Sequence, residues 1–252
     1  MFRLRWALVA IPVLAVAALA LMVARGGGSS DESGGVVVSC DGIDELASYR
    51  YTISVKLALP AVQPGEPGLG EFAGTLAALL SDFSIAGAYV APDRRQATLA
   101  LQGDEVELRQ IGDEKWERLG SSWENLDEDA PEIEELTPSV VCAELVMGLA
   151  PSLDPAGPVE EALNGVAARR YTTGEADLAR LGELLGVAAG TPLPDEFAVS
   201  VWLAEGDWPL KLEVRSRATD ADGQAGSVEL VMELRDLNDG GISIEPPLVS
   251  QP

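Results

Sequence analysis

Several stretches of this chain alternate apolar and polar residues, and this alternation constrains the fold more than any other feature. In residues 49–59 every odd position is Tyr, Ile, Val or Leu, while Arg, Thr, Ser and Lys hold most even positions. Residues two apart lie on one face of a β-strand, so the pattern predicts a half-buried antiparallel strand. Further strands are predicted at 84–90, 96–101, 105–111, 115–119, 166–172, 197–204, 210–218 and 226–235.

Turns and two helical stretches connect these strands. Residues 103–104 and 112–113 are Gly-Asp pairs typical of hairpin turns, and they join the first strands into a meander. Residues 139–149 have apolar residues at helical spacing, and Thr173 is placed to cap a second helix over 175–185. This order predicts an α+β fold in which helices pack on an antiparallel sheet.

The N-terminus carries a segment that directs the chain out of the cytoplasm. Residues 6–23 contain no charge, follow Arg3 and Arg5, and precede Arg25. A helix of this length measures roughly 27 Å, close to the hydrocarbon thickness of a bilayer. An uncleaved transmembrane anchor and a cleaved signal both fit. Because most of the positive charge precedes the segment, either leaves the remaining chain outside.

We therefore expect three parts in the chain. Residues 1–25 form the signal or anchor segment, 26–38 a flexible acidic linker, and 39–252 one domain long enough for a substantial core. The expected location is the cell membrane, with a single pass and the C-terminal domain outside the cytoplasm. Secretion after cleavage of the signal is the alternative.

The chain is strongly acidic, with a formal net charge of −24 at pH 7. This charge repels nucleic acid, so no nucleic-acid partner is expected. Acidic residues are concentrated in 124–135. A solvated loop is the simpler interpretation of that run, and a strip that binds a partner protein is the alternative.

Cys40 and Cys142 are the two cysteines, and both lie on the exported side, where oxidation is possible. We predict that they form a disulfide. The sequence Val-Val-Ser-Cys at 37–40 loosely resembles a lipidation motif, but a polar linker separates it from the apolar segment. The disulfide is therefore favoured over lipidation.

The sequence offers little support for catalysis. It contains no histidine, which removes the usual base of nucleophilic hydrolases and the commonest transition-metal ligand. We expect no enzyme activity, cofactor or metal site, although carboxylate-only hydrolysis stays open because acids are plentiful. The acidic turns at 220–222 and 236–239 resemble hairpin turns more than calcium loops.

Five tryptophans admit two interpretations. Trp6 heads the apolar N-terminal segment, as an interface anchor would. Trp116, Trp123, Trp202 and Trp208 lie on or beside predicted strands, where a core or rim position is the default. Lining a ligand cavity is the alternative for these four.

The stretch 87–94, Gly-Ala-Tyr-Val-Ala-Pro-Asp-Arg, is a strand followed by a hairpin, and it resembles the LppX/LprAFG lipoproteins. Their fold is similar to that of the LolA/LolB lipoprotein carriers. The resemblance covers residues of about 40–247. Further matching residues, in order, are Gly112, Trp116, Arg118, Trp123, Tyr171, Val201-Trp202-Leu203, Trp208-Pro209-Leu210 and Leu234-Arg235-Asp236-Leu237-Asn238.

This resemblance implies a curved antiparallel half-barrel, with helices closing its concave face around a hydrophobic cavity for acyl chains. Apolar concavities are the usual form of such sites. For each candidate cavity residue, packing in an ordinary core is the alternative. The candidates are the inward residues of the alternating strands: Ile53, Val55, Leu57, Leu99, Leu101, Leu108, Val199, Val201, Leu212, Val214, Leu230 and Met232.

One departure from the family pattern concerns the anchor. Members usually carry a lipidated cysteine directly after the signal, whereas no cysteine precedes Cys40 here. A transmembrane segment would replace the lipid, which favours a tethered lipid handler over a mobile carrier. The expected partners are a lipid or acyl-chain ligand, the membrane through the N-terminal segment, and an envelope protein. The alternative is an envelope interaction or structural module whose core is filled and binds no ligand.

Overall fold

The computed structural model describes residues 36–58, 81–127, 130, 133–173, 195–219, 223 and 225–248. Within this part of the chain, eleven strands form a single open antiparallel sheet in the order β6-β5-β4-β3-β2-β1-β11-β10-β9-β8-β7. The strands are β1 Ser48–Ala58, β2 Phe83–Val90, β3 Arg94–Leu101, β4 Asp104–Ile111, β5 Glu114–Leu119, β6 Ser122–Asn125, β7 Val159–Leu163, β8 Val166–Thr172, β9 Glu196–Ala204, β10 Pro209–Thr219 and β11 Ala225–Arg235.

The sheet consists of two meanders that meet at one strand pair. Within each meander every strand pairs with the strands next to it in sequence, and β1 also pairs with the last strand, β11. The consecutive strands β6 and β7 therefore lie at opposite edges of the sheet. Residues paired across antiparallel strands share a face, and Ile53 lies opposite Met232 on one side and opposite Ile85 on the other. We call the face that carries Ile53 the inner face. The opposite face, which carries Thr52 and Ser54, is the outer face.

A helical segment, residues 133–152, covers part of the inner face. Its core residues Val141, Leu145 and Leu149 belong to the same buried cluster as the inner-face strands. The predicted helix at 139–149 is confirmed, although its middle turn has π geometry. The segment comprises a 3₁₀ turn Ile133–Leu136, α2 Pro138–Val141, a π-helix Cys142–Val146, α3 Met147–Leu149 and a 3₁₀ turn Ala150–Ser152.

The predicted disulfide is present. Cys40 and Cys142 are joined with an S–S distance of 2.10 Å across 102 residues of sequence. The bond ties the short helix α1, Asp41–Asp44, to the π-helix on the inner face. Because the Cys40 sulfur is in this bond, it is not available for lipidation.

Residues near the C-terminus pack on the outer face. Ile242 and Ile244 are buried there. Arg94 donates to the carbonyl of Ile244 at 2.8 Å, and Arg109 donates to that of Glu245 at 2.7 Å. The sequence patterns did not predict this outer-face cover.

The other differences from the predictions are local. Strands β6 and β7 and helix α1 were not predicted, and the first hairpin turn is Gln102-Gly103, because Asp104 already belongs to β4. The remaining strands lie within two residues of their predicted positions.

Several predicted segments lie outside the described residues. They are residues 1–25, the linker up to residue 35, the helix at 175–185 and the turn at 220–222. Within the described part, no helix is long and apolar enough to cross a bilayer. Val36 and Val38, at the end of the predicted linker, pack against the main core.

Candidate ligand-binding face

All twelve candidate cavity residues lie on the inner face. The strand registers place them in adjacent rows of one sheet, and the buried ones belong to a single hydrophobic cluster. Ten of the twelve are 8% exposed or less. Leu57 and Leu101 are half-buried and lie at the same end of the sheet, near the ends of β1 and β3. The structure therefore brings the candidates together, largely as buried side chains.

The opposite end of the inner face is aromatic. The ring centroid of Tyr49 lies 6.1 Å from that of Tyr51 and 5.2 Å from that of Tyr89. The Arg95 guanidinium lies 5.5 Å from the centre of the Tyr89 ring. Sequence reasoning placed Tyr49 and Tyr51 on the apolar face of β1 but did not identify this cluster, because the partners come from β2 and β3.

Polar side chains hold the start of the helical segment over this end. Arg95 forms an ion pair with Glu134 at 3.5 Å. The Gln110 side-chain oxygen accepts from the Ile133 backbone N–H at 3.3 Å, and Lys115 donates to the Ala130 carbonyl at 3.0 Å. The acidic run at 124–135 thus includes residues that dock on the sheet as well as exposed ones.

Among the polar side chains at this end of the inner face, Tyr51 differs in that its hydroxyl makes no hydrogen bond within the described residues. Tyr51 is 1% exposed. Burial raises its pKa above the ordinary value for tyrosine, so the hydroxyl is neutral at physiological pH. Its ring lies across Gly87, where a Cβ atom would overlap it.

The outer face carries a groove of about 770 Å³ beside strands β8 to β11. Most residues that line it alternate onto the outer face, and among the twelve candidates only Val199 lines it. Arg215 in this groove is paired with Glu213 and Glu229. The groove is therefore a surface feature separate from the predicted acyl-chain site.

The tryptophans belong mainly to the outer face. Two guanidinium groups lie over the Trp123 ring, that of Arg109 at 4.6 Å from its centre and that of Arg118 at 5.3 Å. Trp202 lies 4.6 Å from the Lys211 ammonium and 5.9 Å from the Arg170 guanidinium. Strand alternation places these two indoles away from the inner face, so they do not line the predicted cavity.

The described residues contain one buried carboxylate, Glu107, which is held by Arg109 and Arg118. A glycosidase requires two carboxylates facing each other across a cleft. In this part of the chain there is also no group of three side chains suited to hold a metal ion.

No protein-family model matches the chain, and no curated protein matches it in sequence. Two similar solved structures are the crystal structure of LprF from Mycobacterium bovis and the Pseudomonas aeruginosa MucA/MucB complex. The first is 12% identical with a TM-score of 0.39, and the match covers 84% of this chain and 94% of LprF. The second is 13% identical with a TM-score of 0.31, and it covers 82% of this chain and 58% of that chain. Similarities at this level do not assign the chain to a family.

Proposed function

We propose that this protein binds lipid or other acyl-chain ligands in the cell envelope, holding them between the inner face and its cover without covalent chemistry. The observation that supports this most is the composition of the inner face. Twelve apolar side chains from six strands form one continuous surface there, on a sheet that does not close on itself. Such a surface offers dispersion contacts along the whole length of an acyl chain.

The resemblance of the sequence to the LppX/LprAFG lipoproteins agrees with this proposal. The signal or anchor segment predicted at residues 1–25 also supports the proposal, because either form brings the domain into the envelope, where lipid is available. The half-buried Leu57 and Leu101 mark the less covered end of the inner face, and the tyrosines and the start of the helical segment lie at the other end.

Native mass spectrometry of residues 36–252, purified without detergent, tests the proposal, together with uptake of a fluorescent acyl probe. We expect co-purified lipid or saturable uptake. Leu57→Gln should weaken uptake, because it puts an amide on the inner face. Val231→Gln is the matched control, since Val231 is also half-buried but faces outward from β11. Absence of both lipid and uptake, or equal effects of the two variants, would count against acyl-chain binding.

The second candidate function is an envelope interaction module with a filled core. The observation that favours it is the near-complete burial of ten of the twelve candidates in one cluster with the helical segment. The native mass spectrum described above distinguishes this function from acyl-chain binding, because a protein with a filled core gives a single mass that matches the chain without ligand.

A further inference from the structure

Three of the four inner-face tyrosines, Tyr49, Tyr51 and Tyr89, lie at one end of that face, and their hydroxyl groups differ in one respect. The Tyr89 hydroxyl donates to the Pro92 carbonyl at 3.0 Å. The Tyr49 hydroxyl is hydrogen-bonded to Ser139 on α2. Tyr51 is the most deeply buried of the three, and its hydroxyl has no partner in the part of the chain that the structure describes.

A buried hydroxyl without a hydrogen bond costs stability, because it has given up its bonds to water. Phenylalanine would fill the same volume without that cost. The Tyr51 hydroxyl is therefore explained poorly as a packing group. It is explained well as a donor whose acceptor arrives with a ligand.

The surroundings of Tyr51 determine which kind of acceptor fits. In the sheet register Tyr51 lies opposite Gly87, which lies opposite Ala97, and Leu108 follows on β4. The small residues let the ring lie flat across β2, with its hydroxyl over Gly87. The residues of this row up to β4 are Gly, Ala and Leu, so they offer no side-chain acceptor, and the row reaches a carboxylate only at Glu117, one strand further away on β5.

The protonation state of Tyr51 fixes the direction of the hydrogen bond. Burial is the main cause that raises its pKa, the neighbouring Tyr49 raises it further, and Arg95 lowers it. The phenol therefore keeps its proton at neutral pH and can donate. A ligand carboxylate would need a charge partner here, and Arg95, whose charge acts on Tyr51, is already paired with Glu134, whereas a neutral carbonyl needs no charge partner.

We propose that Tyr51 is the polar anchor of the acyl-chain site, and that its hydroxyl donates a hydrogen bond to the ester or amide carbonyl of the ligand. This inference rests on the proposed function and adds a preference to it. The ligand is an acyl chain whose carbonyl lies at the tyrosine end of the inner face, with the hydrocarbon extending toward Leu57 and Leu101.

Photocrosslinking of the full chain in lipid nanodiscs tests this anchor. Two diazirine probes of equal length are used, an acyl methyl ester and the hydrocarbon that lacks the ester. The concentration giving half-maximal crosslinking to the inner-face strands is read by peptide mass spectrometry. In Tyr51→Phe we expect this concentration to rise about threefold to tenfold for the ester and to stay the same for the hydrocarbon.

Thermal unfolding of the same variants gives a second measurement. Without ligand, Tyr51→Phe should melt at the same or a higher temperature than the parent, because it removes an unsatisfied hydroxyl. Tyr49→Phe is the matched control. It loses the hydrogen bond to Ser139 and should melt at a lower temperature, with the preference for the ester probe unchanged.

The possible failures point to different conclusions. If both probes crosslink but Tyr51→Phe changes their half-maximal concentrations equally or not at all, the proposed role of Tyr51 is wrong while acyl-chain binding stands. A Tyr51→Phe variant that melts well below the parent shows that an internal water or protein group already satisfies the hydroxyl, which also overturns the anchor. If neither probe crosslinks to the parent protein, acyl-chain binding fails, and the anchor with it.

Discussion

The two faces of this sheet are covered in different ways. On the inner face, aliphatic rows pack against the helical segment, and the polar contacts with that cover lie toward the tyrosine end. On the outer face, arginines donate to backbone carbonyls of residues near the C-terminus, and cations lie over the indole rings. The inner face therefore depends mainly on apolar burial, whereas the outer face combines a smaller apolar part with polar and cation–π contacts.

The two Trp–cation sites lie in one cross-strand row of the outer face. Through successive register pairs, Trp123 is connected by Arg118, Glu107 and Thr52 to Lys211 and Trp202 near the other edge. Interactions of this kind are worth much less per residue than buried aliphatic packing. Substitutions on the inner face should therefore cost more than matched ones on the outer face.

The largest expected effect is that of truncating a buried inner-face side chain. Met232→Ala should lower the free energy of unfolding by about 2–5 kcal/mol, because Met232 is fully buried and its loss leaves a cavity. Its neighbour Val231 is half-buried on the outer face, and Val231→Ala should cost below about 1 kcal/mol. Urea unfolding of both measures the difference. Equal losses would mean that the two faces contribute alike.

A smaller loss is expected from Gly87→Ala. The added Cβ overlaps the Tyr51 ring, which must move away from the sheet, at a cost of about 1–3 kcal/mol. Gly157→Ala is the control, because its Cβ would meet only the Asp154 carboxylate at ordinary contact distance. Urea midpoints measure both variants. A neutral Gly87→Ala would show that Tyr51 does not lie flat on β2.

The strands were predictable from sequence because their alternation reports one-sided burial directly. The same alternation placed all twelve candidate residues on one face. It could not detect β7, whose exposed Val-Glu-Glu-Ala-Leu sequence is too short and too polar to alternate clearly. The outer-face cover was missed for a related reason. Ile242 and Ile244 are isolated apolar residues, and the arginines that hold this segment come from β3 and β4.

The tyrosine cluster shows where sequence reasoning stops. Tyr51 was correctly placed on the apolar face of β1. Its unpaired hydroxyl depends on Gly87 and Ala97, which come from two other strands and lack polar side chains. A strand pattern reports which face a residue occupies, whereas hydrogen-bond satisfaction requires the register between strands. The signal available in the sequence was a tyrosine on the same face of β1 as the aliphatic residues Ile53 and Val55, which hinted at a buried hydroxyl.

The inner face should also respond to alkaline pH. Burial raises the pKa of both Tyr49 and Tyr51 in the folded protein above the unfolded value of 10.0. Above that pH the unfolded chain releases these protons while the folded chain retains them. The contribution of these two tyrosines to the free energy of unfolding is thus constant below about pH 10. Above that pH it falls by about 1.4 kcal/mol per pH unit for each tyrosine. Urea unfolding between about pH 10.5 and 11.5 measures the slope, and Tyr51→Phe should remove about half of it. An unchanged slope in that variant would contradict the burial of Tyr51.

The smallest expected effect concerns Trp202 on the outer face. Lys211→Met keeps most of the aliphatic stem but removes the ammonium, which lies 4.6 Å from the indole and 3.4 Å from Glu213. A double-mutant cycle with Trp202→Leu should give a coupling of about 0.5–1 kcal/mol from the cation–π contact. The cycle isolates that contact, because the ion pair with Glu213 is lost whether or not the indole is present. The coupling should change little with added salt, since Trp202 is buried.

A coupling near zero would mean that the indole is held by packing alone. A coupling as large as the loss in Met232→Ala would remove the energetic difference between the two faces.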